Sequence, residues 1–200
     1  MRRSSVLAPY RLVIGGVVLL LAALTFLFLR GPGFFQRYYY PLEHAEAIER
    51  SAIRHKVSPY LIAAIIDSES GWDVSTRSSA GAVGLMQVMP STAEELRAKE
   101  AVAPGLAAGD LSDPDVNIEH GTAYFRYLVE RYHEVEIALA AYNAGIANVD
   151  SWVEGGQDIR DEIEFPETRH FVLRVSRARD VYERLYPGSF PEWRTGTDDE

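Results

Sequence analysis

A run of eighteen residues without a charge, Leu12–Leu29, constrains most strongly what this chain can fold into. An apolar helix of this length nearly matches the hydrocarbon core of a bilayer, which takes about 20 residues to cross. Arg2, Arg3 and Arg11 precede the run, and basic residues favour the cytoplasmic side of a membrane helix. The sequence therefore predicts that residues 1–30 form a cytoplasmic N-terminus and a membrane anchor.

A cleaved signal peptide is the alternative for this segment, because it has the same order of basic and apolar residues. The uncharged run exceeds the usual apolar region of a signal peptide, and no A-x-A-like cleavage site precedes Arg30. A lipid anchor on cysteine is excluded because the sequence contains no cysteine. We expect a single-pass protein of the inner (cytoplasmic) membrane, with the remaining chain on the extracytoplasmic side.

The rest of the chain is acidic, since residues 31–200 carry 16 basic and 29 acidic side chains, a formal charge of −13. This balance argues against nucleic acids and anionic lipid surfaces as partners, because both attract basic clusters. The lack of cysteine excludes disulfides, thiolate catalysis and cysteine-bound metals. We expect any bound polymer to be held through neutral hydrogen-bonding groups and ring stacking.

Helical spacing of apolar residues and helix-capping signals run through most of residues 43–187. The expected helices cover residues 43–56, 59–69, 91–99, 114–132, 134–143, 146–152 and 167–185. Ser58 is the expected N-cap of the second helix, and Ser91 to Glu94 match the capping-box pattern S-x-x-E at the start of the third. Residues 100–111 are expected to be irregular. The stretch 73–89 is rich in Ser, Gly and Ala and predicts a closely packed loop. A short hairpin could form there or near 156–165. We therefore expect a linker at 31–42, one mainly α-helical domain at 43–187, and an acidic tail at 188–200 that is disordered apart from Phe190 and Trp193.

Glu69 ends the most apolar of these helices. Ile62, Ile65 and Ile66 precede it by seven, four and three residues, so its carboxylate shares their helix face. Burial against apolar side chains and the partial negative charge of a helix C-terminus both raise the pKa of a carboxyl group. A carboxyl group protonated near neutral pH can act as a general acid. The alternative is a solvated glutamate at a helix end.

The residues after Glu69 carry a resemblance that favours the catalytic interpretation. The motifs are Glu69-Ser70-x-Trp72, Ser78, Gly81-Ala82-x-Gly84-Leu85-Met86-Gln87-x-Met89-Pro90 and Ala141-Tyr142-Asn143-Ala144-Gly145. Together they resemble the lytic transglycosylases, relatives of goose-type lysozymes that cleave bacterial peptidoglycan. The resemblance runs from about Ile48 to Leu185. It implies a lysozyme-like helical domain with at most a minor β element, facing the periplasm or cell wall.

The resemblance also implies a mechanism with one catalytic carboxylate. The residue at Glu69 protonates the oxygen of the β-1,4 bond between N-acetylmuramic acid and N-acetylglucosamine. It then takes a proton from the C6 hydroxyl of the muramic acid, which closes a 1,6-anhydro ring without water. In agreement, neither Gly84–Gln87 nor Tyr142–Asn143 contains a second carboxylate, whereas ordinary glycosidases need two.

The same resemblance assigns substrate contacts to Ser78, Met86, Gln87, Tyr142 and Asn143. Each has a structural alternative that the sequence leaves open. Ser78 could hold a turn, Met86 could fill the core, and Gln87 could bond its own loop. Tyr142 could be a core aromatic residue and Asn143 a helix C-cap.

The segment Glu167-Thr168-Arg169-His170-Phe171 departs from the family, whose pattern is E-T-R-x-Y. Phe171 stands where a tyrosine would reach the catalytic acid, and we expect it to contact the substrate. Loss of the hydroxyl leaves two interpretations: either Glu69 is protonated more easily in an apolar pocket, or another polar residue takes over.

Other functions receive less support. His133-Glu134 is not followed by the second histidine of a zinc-binding H-E-x-x-H helix, so no metal is expected, and no cofactor. The five histidines are expected to be solvated. A water-using muramidase is the alternative enzyme, and a non-catalytic peptidoglycan-binding scaffold is the alternative from another class. The expected partners are peptidoglycan strands and the membrane, with cell-wall machinery unidentified.

Overall fold

A computed structural model describes residues 7–30, 33–107, 109–153, 163 and 165–197. Contacts divide the chain into two units, Met1–Tyr39 and Tyr40–Glu200. The division falls inside the linker expected at 31–42, and residues 33–39 of that linker form a helix.

The first unit contains α1 (Leu7–Arg30) and α2 (Gly33–Tyr39). Within α1, Tyr10–Leu27 has a mean hydropathy of 2.2, and none of this stretch is buried. The helix is long and apolar enough to cross a membrane by length and composition, and a signal sequence near the N-terminus would meet the same criteria.

The second unit is built from helices, in agreement with the expected mainly α fold. They are α3 (Ala45–His55), α4 (Pro59–Glu69), α5 (Pro90–Ala98), α6 (Pro114–Tyr132), α7 (Val135–Ala144), α8 (Ile146–Val153), α9 (Pro166–Leu185) and α10 (Pro191–Thr197). The β structure of the described residues consists of isolated bridges, Arg77 to Val83 and Val83 to Val88, inside the expected loop. The second segment considered for a hairpin, 156–165, lies largely outside the described residues.

Helix α4 forms the centre of the core. Every residue from Pro59 to Ile66 is buried, and the three isoleucines expected on the face of Glu69 have no exposed surface. Helix α9 packs along α4, while α6 lies between α3 and α7. Glu69, the last residue of α4, is therefore carried on a helix whose preceding residues are packed in the core.

The helix starts follow the backbone chemistry of proline more closely than the expected side-chain caps. Asp113 accepts hydrogen bonds from the N–H groups of Asp115 and Val116, as an N-cap does. Ser58 occupies the N-cap of α4 without a capping bond from its side chain. The capping box expected at Ser91 is wrong, because α5 begins one residue earlier, at Pro90. Proline suits the first helical position since it has no N–H to satisfy.

The tail contains a helix, α10, and Phe190, one of the two residues excepted from the expected disorder, anchors it in the core. Phe190 is fully buried and meets the ring of Tyr60 edge to face at 5.2 Å. The Glu49 carboxylate accepts hydrogen bonds from the backbone N–H groups of Glu192 and Trp193 at the start of α10. One buried aromatic anchor and one capping carboxylate thus outweigh the polar composition of this segment.

A buried carboxylate, Glu119, joins α3, α6 and the segment before α6. Ser51 Oγ donates to it at 2.6 Å, the Ala103 N–H donates at 2.8 Å, and His55 Nε2 lies 3.0 Å away. Burial alone would raise the pKa of Glu119, but these hydrogen bonds outweigh burial and lower it to about 2. Residues around Ala103, expected to be irregular, are anchored here.

The expectation that all the histidines are solvated is wrong for His55 and His120. His55 contacts Glu119, and its side chain is only 9% exposed. His120 is buried and bonds the Val116 carbonyl through Nδ1 at 2.8 Å. Burial lowers the pKa of His120, so both residues belong to the interior.

Candidate active site

Glu69 lies where α4 stops and the chain turns sharply. Gly71 and Trp72 follow with φ angles of 58° and 71°, in the left-handed region. Burial raises the pKa of Glu69 from an ordinary 4.5 to about 7, and the positive charge of Arg174 opposes this rise. The carboxyl group is thus divided between its acid and base forms near neutral pH.

Arg174 is the cation that acts on Glu69. It projects from α9, donates from Nη2 to the Ser68 carbonyl at 3.3 Å, and lies 5.8 Å from the centre of the Phe171 ring. Phe171 itself is 2% exposed and belongs to the core. Its expected contact with substrate is therefore not supported by its position, whereas Arg174, which the sequence analysis missed, is the polar neighbour of the acid.

Asp67 is the carboxylate closest in sequence to Glu69, and it has other contacts. The Tyr182 hydroxyl lies 3.3 Å from its Oδ1 and accepts a hydrogen bond from Trp72 Nε1 at 2.8 Å. Residues two apart on a helix point in nearly opposite directions. Asp67 therefore points toward the interface between α4 and α9, and it does not lie beside the Glu69 carboxylate.

The loop of residues 83–87 is held by a buried asparagine on α6. Asn117 Nδ2 donates to the carbonyls of Val83 at 2.7 Å and Leu111 at 2.8 Å, and its Oδ1 accepts from the Met86 N–H at 2.7 Å. Its side chain is 1% exposed. Asn117 lies outside the sequence motifs, and the only signal for it is a polar residue at a position of α6 that faces the core.

Gly84 is required by this arrangement. Its φ of 77° is unfavourable for residues with a side chain, and a Cβ atom there would lie within 2.9 Å of the Leu111 carbonyl oxygen and overlap the Asn117 amide. Glycine at this position thus permits the close approach of the loop to α6.

Tyr142 connects α7 to the same loop. Its hydroxyl donates to the Met86 carbonyl at 2.7 Å. Burial raises the pKa of Tyr142, and the nearby charge of Glu69 adds to this rise. Glu69, the Met86 backbone and Tyr142 therefore come together at one place, as the sequence motifs predicted.

Comparison with known proteins agrees with this geometry. The profile of the family described as "Transglycosylase SLT domain" matches residues 46–164, more than half of the chain. The chain belongs to the transglycosylase SLT domain family.

Relatives of the SLT domain share about a third of its residues. The soluble lytic murein transglycosylase of Escherichia coli K12 is 34% identical over 80% of this chain and 26% of its own length. The membrane-bound lytic murein transglycosylase F of Desulfosudis oleivorans is 35% identical over 74% of this chain and 32% of its own length. The chain thus spans about a quarter to a third of these relatives.

A solved structure supports the same fold. An inactive glutamate-to-glutamine mutant of the lytic transglycosylase Slt from Pseudomonas aeruginosa superimposes with a TM-score of 0.66 at 32% identity. The match covers 72% of this chain and 24% of that one. The helical, lysozyme-like architecture expected from the motifs is confirmed.

Two of the expected contact residues of the SLT domain are engaged within their own loop. Gln87, with a φ of 46°, donates from Nε2 to the carbonyls of Thr76 and Gly84, which leaves its Oε1 as an acceptor. Ser78 Oγ accepts from the Ala82 N–H at 3.0 Å and closes a turn. Both structural alternatives thus hold in part, and each side chain retains a group for a ligand.

Met86 and Asn143 differ in what they can offer. The Met86 side chain is fully buried, which favours the alternative in which it fills the core, and its backbone supplies the loop contacts. Asn143 is half-buried, and its Oδ1 accepts from Thr168 Oγ1 at 2.9 Å, which leaves the Asn143 NH₂ group as a donor. Within the described ranges, no three His, Asp or Glu side chains are grouped as a metal site would require.

Proposed function

We propose that this protein is a membrane-anchored lytic transglycosylase that cleaves the β-1,4 bond between N-acetylmuramic acid and N-acetylglucosamine in peptidoglycan. The observation that carries the proposal is Glu69, a carboxyl group with a pKa of about 7 beside the loop held by Asn117 and Tyr142. Family membership supports the proposal, because related proteins, which are longer than this chain, are named lytic murein transglycosylases.

In the first step, protonated Glu69 gives its proton to the glycosidic oxygen, and the bond from this oxygen to the anomeric carbon breaks. The resulting Glu69 carboxylate lies in the field of Arg174, which favours the charged form. A single group suits both halves of this reaction, because its pKa lies close to neutral pH.

In the second step, the Glu69 carboxylate takes the proton of the muramic acid C6 hydroxyl, and the C6 oxygen bonds to the anomeric carbon. The product is a 1,6-anhydromuramic acid end, and Glu69 regains its proton. No water is consumed. Asp67 does not serve as a second catalytic carboxylate in this scheme, because it contacts Tyr182.

Sugar recognition is assigned to neutral groups around Glu69. Gln87 Oε1 is an acceptor and the Asn143 NH₂ group a donor for hydroxyl or acetamido groups. Ser78 contributes its hydroxyl at the edge of the same loop, and Tyr142 shapes the site through the Met86 carbonyl.

The test is digestion of purified peptidoglycan by the full-length protein in detergent micelles, with mass analysis of the muropeptides. We expect anhydromuramic ends, and loss of at least about 10³-fold in rate for Glu69→Gln, because general acid–base catalysis is removed at both steps. Asp67→Asn is the matched control, which should retain activity if it folds.

Two results would overturn the proposal. Reducing muramic ends would make the protein a hydrolase of the muramidase type. Retained peptidoglycan binding with no cleavage by the wild type would make it a scaffold.

The membrane part of the proposal rests on α1, whose residues Tyr10–Leu27 have the length and hydropathy of a membrane span. We place the domain on the extracytoplasmic side, where peptidoglycan lies. The test is N-terminal sequencing of the mature protein from a cell membrane fraction. We expect residues 1–30 to be intact. A mature N-terminus after residue 30 would indicate a signal peptide.

A further inference from the structure

A pocket of about 510 Å³ lies away from Glu69, between the C-terminal ends of α3 and α5 and the middle of α6. None of the residues assigned above to catalysis or sugar recognition lines it. Its described lining includes Arg54, His55, Lys99, Arg126 and Tyr127. We refer to it as the basic pocket.

The charge of the basic pocket is opposite to that of the chain, which has a formal charge of −9. Among the described lining residues the one acid is Glu130, and it is paired with Arg126 Nε at 2.7 Å. Arg54 meets the buried Glu119 through Nε at 3.3 Å. Because a guanidinium has five N–H donors in a planar fork, both arginines keep terminal N–H groups for a further anion.

The cationic groups are also held in place. Glu119 fixes Arg54 from below, Glu130 fixes Arg126, and Lys99 Nζ lies 4.8 Å from the centre of the Tyr127 ring. Groups fixed before binding lose less conformational entropy when a ligand arrives. The basic pocket is thus built for an anionic ligand rather than being a random group of surface lysines.

The basic pocket is connected to the candidate active site through α6 and its aromatic rings. Tyr127 stacks on Tyr124 with centroids 6.5 Å apart, and Tyr124 contacts Tyr142 at 5.5 Å. These two centroid distances place the Tyr127 ring, in the lining of the basic pocket, no more than about 12 Å from the Tyr142 ring. An extended peptide of four residues spans roughly 13 Å. A short peptide attached to a sugar near Tyr142 has the length to reach the basic pocket.

We propose that the basic pocket binds the carboxylate groups of the peptide stems that peptidoglycan carries on N-acetylmuramic acid. The inference rests on the proposed function for its substrate class. It assigns recognition of the anionic peptide to Arg54, Lys99 and Arg126, while neutral groups near Glu69 recognise the sugars. It predicts that the protein distinguishes peptide-bearing strands from bare glycan.

The test measures binding by isothermal titration calorimetry of full-length protein in detergent micelles. The probes are the tetrapeptide L-Ala-γ-D-Glu-L-Lys-D-Ala, the same peptide with its carboxylates converted to carboxamides, and inorganic phosphate. The pocket variant is Lys99→Gln with Arg126→Gln. The matched control is Arg179→Gln with Arg184→Gln, which makes the same change in charge on α9. Thermal unfolding of both variants verifies that they fold.

We expect the wild type and the control to bind the tetrapeptide equally, and the pocket variant to bind about tenfold more weakly, as does the amidated peptide with the wild type. No binding of the tetrapeptide, equal binding of the amidated peptide, or an unaffected pocket variant would overturn the inference. Phosphate binding as tight as that of the tetrapeptide, lost in the pocket variant, would instead make this a general anion site.

Failure of this inference is separable from failure of the proposed function, because binding needs no cleavage. The same titrations with Glu69→Gln are expected to match the wild type. If the wild type releases anhydro ends while the pocket variant binds the tetrapeptide normally, the proposed function stands and the inference fails. If the wild type cleaves nothing but binds the tetrapeptide through the pocket, the catalytic proposal fails.

Discussion

Two opposing effects act on the proton of Glu69: burial raises its pKa, and the positive charge of Arg174 on α9 lowers it. The missing tyrosine at Phe171 had left two interpretations, an apolar pocket or a substitute polar residue. Both apply in part: burial raises the pKa of Glu69 to about 7, and the Arg174 guanidinium limits the rise. A charge from a separate helix acts on the acid without being recognisable in a local pattern.

Arg174→Gln should therefore raise the pKa of Glu69 further. Because the first step needs the protonated acid, the alkaline limb of kcat/KM against pH should move upward, by about one pH unit or less given the exposure of Arg174. Arg174→Lys should move it less, since the positive charge stays. The measurement is a pH profile of peptidoglycan cleavage. A profile identical to that of Arg179→Gln, an arginine further along α9, would contradict this role.

Asn117 also lies outside the sequence motifs, and its hydrogen bonds to backbone groups of Val83, Met86 and Leu111 make it a positioning residue. Asn117→Ala should lower the free energy of unfolding by about 2–4 kcal/mol, since buried loop groups lose their partners. It should also lower kcat, because the loop beside Glu69 loosens. Urea unfolding and cleavage rates check both effects. Asn148→Ala, which removes an exposed bond to the Ala144 carbonyl, is the control and should change neither.

At the scale of the helices, local chemistry predicted most of the fold. Helix α4 ends at Glu69 as expected, because proline at one end and glycine just beyond the other mark its limits. The errors came where two signals competed: Pro90 displaced the cap expected at Ser91. Helix α10 could not be predicted from local signals, because the surface against which Phe190 packs is contributed by Tyr60, far away in sequence.

Helix α10 should depend on its one buried anchor. Phe190→Ala removes a fully buried ring and should cost about 3–5 kcal/mol of unfolding free energy. Phe165→Ala is the matched control: this ring is 43% exposed, so its removal should cost less than about 1–2 kcal/mol. Urea unfolding measures both. Equal losses of unfolding free energy for the two variants would contradict the role of Phe190 as the anchor of α10.

At the scale of the whole molecule, the site could be predicted in its chemistry but not in its supports. Glu69, Gln87, Tyr142 and Asn143 lie in short motifs whose residue types imply acid catalysis and sugar binding. Their supports come from distant segments, and Asn117 is the example on α6. Contacts between distant segments depend on how helices pack, which a linear pattern does not encode. The basic pocket could not be predicted for the same reason, because its cations come from three segments that are far apart in sequence.

Two carboxyl groups with opposite pKa shifts should set how the stability of the unit Tyr40–Glu200 depends on pH. The pKa of Glu119 is lowered from 4.5 to about 2, so its contribution is present above pH 4.5 and is lost as the pH falls toward 2. The pKa of Glu69 is raised from 4.5 to about 7, so the folded state holds an extra proton, and stability falls as the pH rises between these values. Together they place the greatest stability near pH 4–5.

Each glutamine variant should flatten one side of this curve. Glu69→Gln should gain up to about 3 kcal/mol relative to the wild type at pH 8 and little at pH 4, while Glu119→Gln should lose on the order of 3 kcal/mol at pH 5 and progressively less toward pH 2. Tryptophan fluorescence is the measurement, because all three tryptophans lie beyond residue 40 and report unfolding of this unit alone. A stability gain for Glu69→Gln that is the same at pH 4 and pH 8 would show that its proton is held no more tightly in the folded state than in the unfolded chain. It would remove the physical basis for Glu69 as an acid near neutral pH.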